Sequence, residues 1–176
     1  MLDANVLFPF TLRDTLLRAA AADMYQVRWS AEILDEMERN LVGAGHATAE
    51  KARRLREAMT EAFPEAEVTG YEPLVSSMSN QEKDRHVAAA AVKAGAQVIT
   101  TANLRDFSSL PDGLEAQSPD EFLCNLFDLD PRGFVELLNE QAADLIRPPV
   151  SFDALLERLA RVAPEFVAMV REAVHD

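Results

Sequence analysis

Four acidic residues stand in separate segments of the chain, where their side chains could meet in one site. They are Asp3, Glu36, Asp84 and Asp106. Converging carboxylates repel one another unless a cation neutralises them, and their oxygen atoms suit Mg²⁺ or Mn²⁺. We expect the cluster to lack a positively charged side chain of its own. The residue types therefore favour a site for a divalent metal ion.

The local sequence around each acid could direct it into a cleft. Asp3 ends a very short first strand, and Glu36 lies at the edge of the apolar stripe of a helix. Asp84 lies in the first turns of a helix whose next positions are mostly alanine, and a buried strand runs into the loop with Asn103 and Asp106. Each acid also has an ordinary explanation as a turn, cap or surface residue. Only their shared position favours a site.

Helix and strand patterns alternate over residues 1–117. Helices are predicted at about 11–23, after the caps Ser30 and Thr48, and after Ser79 and Glu82 in capping-box spacing. Short strands are predicted at 26–29, 67–69, 97–101 and 114–117. This alternation is typical of a parallel sheet with helices on both faces, in which the ligand site lies beyond the carboxyl ends of the strands.

Residues 118–176 are predicted to form three or four helices without a strand, beginning at the cap Ser118. The apolar positions at helical spacing include Phe134, Leu138, Leu145, Phe152, Leu156 and Leu159. These stripes could pack on one another and on the rest of the chain. They could also leave an apolar surface exposed for a partner, because large apolar patches are uncommon on monomers.

Composition limits the classes of protein that the chain can belong to. The net charge of −13 divides into −6 on residues 1–117 and −7 on residues 118–176, which argues against general electrostatic attraction to nucleic acid. Bound cations or a local basic patch could offset this acidity. No export signal and no stretch of bilayer-spanning length is evident, and Cys124 is the single cysteine. We therefore predict a cytoplasmic protein with no membrane association.

Four blocks of the sequence resemble the signature blocks of PIN-domain proteins. They are residues 2–7, 30–37, 84–91 and 101–107, in matching order and spacing. The chain is most similar to VapC ribonuclease toxins of bacterial type II toxin–antitoxin pairs, in a subgroup with a helical C-terminal extension. The resemblance implies a PIN-like α/β domain over residues 1–120, with a parallel sheet of four to five strands flanked by helices on both faces. An all-helical extension over residues 121–176 follows.

The resemblance also implies an activity for the acids. Asp3, Glu36 and Asp84 match the three most regular acids of the family, and Asn103 and Asp106 match the more variable fourth position. The implied reaction is hydrolysis of an RNA phosphodiester with Mg²⁺ or Mn²⁺ as cofactor. Asp3 and Asp84 are expected to bind the metal directly, and Glu36 and Asp106 directly or through water. The residues expected to support them are Asn5, Thr101 and Asn103.

Two departures from the family pattern bear on these expectations. Only Met1 and Leu2 precede Asp3, and a central strand of two residues would be unusual, which leaves the position of the natural N-terminus open. Asn103 stands where many members have a second aspartate, which leaves the choice between one and two metal ions open. The dense basic run Lys51, Arg53, Arg54 and Arg56 is either a solvated helix face or a contact for the RNA backbone.

Other functions remain open from the sequence alone. A housekeeping RNA-processing nuclease of the same fold would show the same residues. An aspartate-based phosphatase fits less well, because Asn5 stands where a second aspartate would be expected. A non-catalytic binding module would be expected to have lost at least one of the four acids. If the chain is a toxin, its expected partners are its RNA substrate, an antitoxin that blocks the acidic cleft, and a second copy that forms a homodimer.

Overall fold

The computed structural model describes residues 1–175, which fall into two compact units. The first unit comprises residues 1–8 and 27–117, and the second comprises residues 9–26 and those from 118 onwards. The domain boundary expected between residues 120 and 121 stays a prediction. In chain order the elements are α1 (Ala4–Leu7), α2 (Phe10–Ala21), α3 (Ala31–Gly43), α4 (Ala49–Ala62), α5 (Glu72–Val75), α6 (Arg85–Lys93), β1 (Val98–Thr100), β2 (Glu115–Gln117), α7 (Pro119–Leu129), α8 (Pro131–Asp144), α9 (Phe152–Leu159) and α10 (Pro164–His175).

The first unit is built on a short parallel sheet. Strands β1 and β2 pair in parallel, with Val98 opposite Glu115. Isolated parallel bridges join Leu2 to Thr100 and Trp29 to Glu67, and the Leu2 amide donates to the Arg28 carbonyl at 2.9 Å. The predicted mixed α/β fold with a parallel sheet is therefore confirmed. The predicted count of four to five strands is not, because three of the segments contribute single bridges instead of ladders.

Most of the predicted helix starts are confirmed by their caps. Ser30, Thr48 and Ser118 each accept a hydrogen bond from the amide three residues later. The capping box predicted at Ser79 is wrong, since α6 begins at Arg85 after a short 3₁₀ turn, Glu82–Asp84. The Gln81 amide instead donates to the Asp106 carbonyl at 3.1 Å. This bond ties the segment to the following loop.

Buried residues of α3 and α6 form much of the core of the first unit. Ile33, Leu34 and Met37 on α3 are fully buried, and so is the run from Val87 to Ala91 on α6. Alanine side chains let a helix approach a sheet closely, and α6 contacts β1. The start of α6, where Asp84 lies, is thereby positioned near the end of β1.

Within the part of the chain that the structure describes, the regular elements of the second unit are all helices, apart from one isolated bridge. Helices α7 to α10 confirm the predicted helical tail, and α2 packs with them in the same unit. The rings of Phe127, Phe134 and Phe166 pack together, with centroids 5.1–6.2 Å apart. Two of these three contacts are edge-on, and all three add to the burial of the rings.

The apolar stripes proposed as a partner surface lie mostly inside the second unit. Phe134, Leu138, Leu156 and Leu159 are buried, whereas Leu145 and Phe152 are partly exposed. The packed alternative is therefore confirmed for the four buried residues, which form part of the unit's core, and the alternative of a free apolar surface is wrong for those four. Among residues 1–175, no helix is long and apolar enough to span a bilayer.

Candidate active site

Asp3 is the most tightly held of the predicted acids. It follows the bridge residue Leu2, and it is only 4% exposed. Its Oδ1 accepts from the Ala4 amide at 2.7 Å, and its Oδ2 accepts from Thr101 Oγ1 at 2.7 Å and from Asn5 Nδ2 at 2.6 Å. Burial raises the pKa of Asp3, and the hydrogen bonds from Thr101 and Ala4 oppose this shift.

The same network fixes the loop that follows β1. Asn5 Nδ2 also lies 3.0 Å from Thr101 Oγ1, and Asn5 Oδ1 accepts from the Ala102 amide at 2.9 Å. Thr101 Oγ1 in turn accepts from the Asn103 amide at 3.1 Å. The first turn of α1 and the end of β1 therefore hold Asp3 in one orientation.

Asp84 and Asp106 meet at a lysine. The Lys83 ammonium lies 2.8 Å from Asp106 Oδ2 and 3.5 Å from Asp84 Oδ2. Asp84 Oδ2 is buried and accepts no hydrogen bond, so its contact with Lys83 is an ion pair without hydrogen-bond geometry. Burial raises the pKa of Asp84, the Lys83 charge opposes this, and the Asp106 and Glu36 charges add to it.

Glu36 completes the group from the second turn of α3, where it is half-buried. Its charge raises the pKa of both Asp3 and Asp84, and the Asp84 charge raises that of Asp3. Asp84 thus interacts with each of the other three acids. The structure brings the four carboxylates, which come from distant parts of the sequence, into one region of mutual repulsion.

The donor set fits a divalent cation, although the acids are not at coordination distance from one another. In the described part of the chain, no group of three or more His, Cys, Asp or Glu side chains is close enough to hold a metal ion. A cation would, however, relieve the repulsion among the acids, and Asp84 Oδ2 is buried without a hydrogen bond. Carboxylate oxygens are the ligands that Mg²⁺ and Mn²⁺ prefer.

Lys83 corrects the expectation that the cluster has no cation of its own. Sequence reasoning missed it because consecutive residues on a helix do not face each other. Here, however, residues 82–84 form a 3₁₀ turn before α6, and the Lys83 ammonium contacts both Asp84 and Asp106. The adjacency of Lys83 and Asp84 was the available signal.

An open groove lies beside the fourth acid. It has a volume of about 460 Å³ and is lined by Ala102, Asn103, Leu104, Arg105 and Asp106. Asn103, Leu104 and Arg105 are exposed there. The groove therefore offers an amide, an apolar side chain and a guanidinium next to Asp106.

The predicted basic run on α4 is largely neutralised within the chain. Arg53 pairs with Glu57 and Arg54 with Glu50 along the helix. Arg56 reaches α3, where it pairs with Asp35 and, at 3.1 Å, with Glu38. These ion pairs reduce the positive charge that the run could offer to a phosphate backbone.

Comparisons with known proteins identify two family models along the chain. Residues 1–105 match the family model of the PIN domain, and residues 119–172 match the model of the VapC50 C-terminal domain. The chain is 37% identical over 105 residues to a Mycobacterium tuberculosis protein named "Putative ribonuclease VapC50". That alignment covers 58% of this chain and 62% of the relative, less than two thirds of its length. No solved structure matches the chain.

The PIN-domain match extends over more than half of the chain and contains three of the four acids, together with Asn5, Thr101 and Asn103. Asp106 is the residue after its end. The chain belongs to the PIN-domain family, and a VapC50-type C-terminal domain follows its PIN domain.

Proposed function

We propose that the chain is an endoribonuclease that depends on Mg²⁺ or Mn²⁺ and cleaves structured RNA as the toxin of a toxin–antitoxin pair. The observation that carries the proposal is that Asp84, whose buried Oδ2 accepts no hydrogen bond, interacts electrostatically with Asp3, Glu36 and Asp106. PIN-domain nucleases generally use divalent metals, and the relative from M. tuberculosis is named as a ribonuclease.

Each residue of the cluster has a role in the proposed reaction. Asp3 and Asp84 hold the metal ion directly, and Glu36 and Asp106 hold it directly or through water. When bound, the ion lowers the pKa of a water molecule and stabilises the leaving oxygen. Asn5 and Thr101 orient Asp3 through their hydrogen bonds, and the bond from Thr101 opposes the rise in the pKa of Asp3 that burial causes.

RNA would approach along the groove that residues 102–106 line. Arg105 offers a charge for a phosphate, and Asn103 offers amide hydrogen bonds. Because the chain carries a net charge of −13, general attraction to RNA is weak. Local contacts and the bound metal must therefore supply most of the binding free energy.

The reaction is tested with purified protein and a structured RNA. Cleavage should require Mg²⁺ or Mn²⁺ and stop on addition of EDTA, and the Asp84→Asn variant should be folded and inactive. Undiminished cleavage by that variant would exclude this active site. Turnover of small phosphomonoesters without RNA cleavage would support the phosphatase alternative instead.

Metal binding is tested separately through stability. A ligand that binds only the native state raises the melting temperature by mass action. Mg²⁺ or Mn²⁺ should therefore raise the Tm of the parent protein and leave that of an Asp3→Asn, Asp84→Asn double variant unchanged. An equal shift in both proteins would place the metal elsewhere.

The toxin role predicts two protein partners. An antitoxin should bind and block the acidic cleft, and its gene should adjoin the gene for this chain. Absence of such a neighbour would favour a housekeeping RNA-processing role. Self-association into a homodimer is expected as well, and light scattering tests it, because a protein that stays monomeric at high concentration excludes the dimer.

A further inference from the structure

Lys83 occupies a position within the acidic cluster that calls for a functional explanation. Its ammonium contacts Asp106 Oδ2 at 2.8 Å and Asp84 Oδ2 at 3.5 Å. The side chain is 66% exposed, whereas those of Asp84 and Asp106 are 14% and 21% exposed. One flexible cation at the surface therefore bridges two carboxylates that are mostly covered.

We propose that Lys83 is a positioning residue that takes the place of a second metal ion, so that the cluster binds one divalent cation. This inference rests on the proposed function, because it assumes that the acids bind a metal ion. Two carboxylates sharing one cation is the arrangement that a bridging metal ion would use. In this protein the Lys83 ammonium already occupies the bridging position between Asp84 and Asp106.

The hydrogen bonds of the cluster divide it into two ends. At one end, Asp3 is fixed by Asn5 and Thr101, and the charges that act on it are those of Asp84 and Glu36, both carboxylates. At the other end, Lys83 already neutralises Asp106. The end of the cluster with Asp3 therefore carries more uncompensated negative charge, and we expect the metal ion to bind there.

Formal charge leads to the same stoichiometry. Four ionised carboxylates and one ammonium carry −3, which one divalent ion changes to −1 and a second would reverse to +1. Like charges a few ångströms apart repel strongly where water is partly excluded. Without the ammonium, two divalent ions would leave the same cluster neutral.

The inference is tested by counting bound Mn²⁺ with isothermal titration calorimetry and by electron paramagnetic resonance. The parent protein should bind one ion, and Lys83→Met should bind two, with the spin coupling expected of ions that share Asp84. Lys83→Arg keeps the charge and should bind one ion. Lys51→Met removes an exposed lysine on α4 and should also leave the count at one.

A double variant separates a second site at Asp106 from binding elsewhere. Lys83→Met combined with Asp106→Asn should return the count to one. Thermal unfolding of each variant without metal checks that the variant is folded. We expect the variants at position 83 to fold, because the Lys83 side chain is mostly exposed.

Three outcomes would overturn the inference. Two ions in the parent protein, or one ion in Lys83→Met, would contradict the role of Lys83 and leave the proposed function standing. The third outcome is that neither the parent protein nor any folded variant binds Mn²⁺. In that case the proposed metal-dependent function is wrong, and the inference about Lys83 is wrong with it.

Discussion

At the scale of single residues, the hydroxyl of Thr101 carries much of the order of the candidate site. It donates to Asp3 Oδ2 and accepts from Asn5 Nδ2 and the Asn103 amide. Thr101 is fully buried, so water cannot readily replace these bonds. Buried polar groups that lose a partner retain the cost of their desolvation.

Thr101→Val should therefore lower the free energy of unfolding by about 1–3 kcal/mol, because it removes the hydroxyl that donates to buried Asp3 and accepts from Asn5 and the Asn103 amide. Urea denaturation measures the change. The matched control is Thr60→Val, whose hydroxyl donates to the Arg56 carbonyl within α4, and which should cost less than about 0.5 kcal/mol. Equal losses in the two variants would contradict the proposed importance of the Asp3 network.

Asp84 links stability to pH. Its pKa is raised in the folded state, chiefly by burial, so its ionised form destabilises the metal-free fold at pH above that raised value. Asp84→Asn should therefore be more stable than the parent at neutral pH in EDTA. The difference should shrink as the pH falls through the raised pKa, because the parent carboxyl then becomes neutral.

Urea denaturation between pH 7 and pH 4 measures this difference directly. Asp112→Asn, in an exposed turn of the same unit, serves as the control and should show no such trend. A variant that is less stable than the parent at neutral pH would mean that the ion pair with Lys83 outweighs the cost of burying the charge.

At the scale of elements, α3 positions Glu36 through its N-terminal cap. Ser30 is fully buried, and its Oγ accepts from the Ile33 amide at 3.2 Å. Ser30→Ala should lower the unfolding free energy by about 1–2 kcal/mol, since a buried cap cannot be replaced by water. Thr48→Ala removes the exposed cap of α4 and should cost about 0.5 kcal/mol. Thermal unfolding of both variants measures the two losses of stability. A larger loss in Thr48→Ala than in Ser30→Ala would contradict this ranking.

Elements with strong local signals could be predicted from the sequence. Caps such as Ser30 and Ser118 fixed helix starts, and the apolar run before Thr101 fixed β1. The start of α6 could not be predicted, because the bond from Gln81 to the Asp106 carbonyl joins segments that are distant in sequence. The contact of Lys83 with Asp84 and Asp106 depends on that same turn. The sequence pattern therefore predicted the group of acids but not the lysine that pairs with two of them.

At the scale of the whole molecule, the second unit joins segments from both parts of the sequence. Thr15 Oγ1 on α2 donates to Gln141 Oε1 on α8 at 2.9 Å, and Gln141 Nε2 donates to the Thr11 carbonyl at 3.2 Å. Gln141 is fully buried. Removal of residues 131–176 would therefore expose the face of α2 that packs on α8 as well as delete the tail, and we expect it to disrupt the whole second unit.

The joined segments should therefore lose their structure together. Phe166 is fully buried against Phe127 and Phe134, and Phe166→Ala should cost about 3–5 kcal/mol through lost burial and a cavity. Hydrogen exchange followed by mass spectrometry should then show faster exchange in residues 9–26 as well as in residues 118–175, because both belong to one compact unit, which we expect to unfold cooperatively. Leu129→Ala, at a side chain that is 77% exposed, should leave exchange in both segments unchanged. If residues 9–26 kept their protection in Phe166→Ala while the tail lost it, α2 would not depend on the packing of the C-terminal helices.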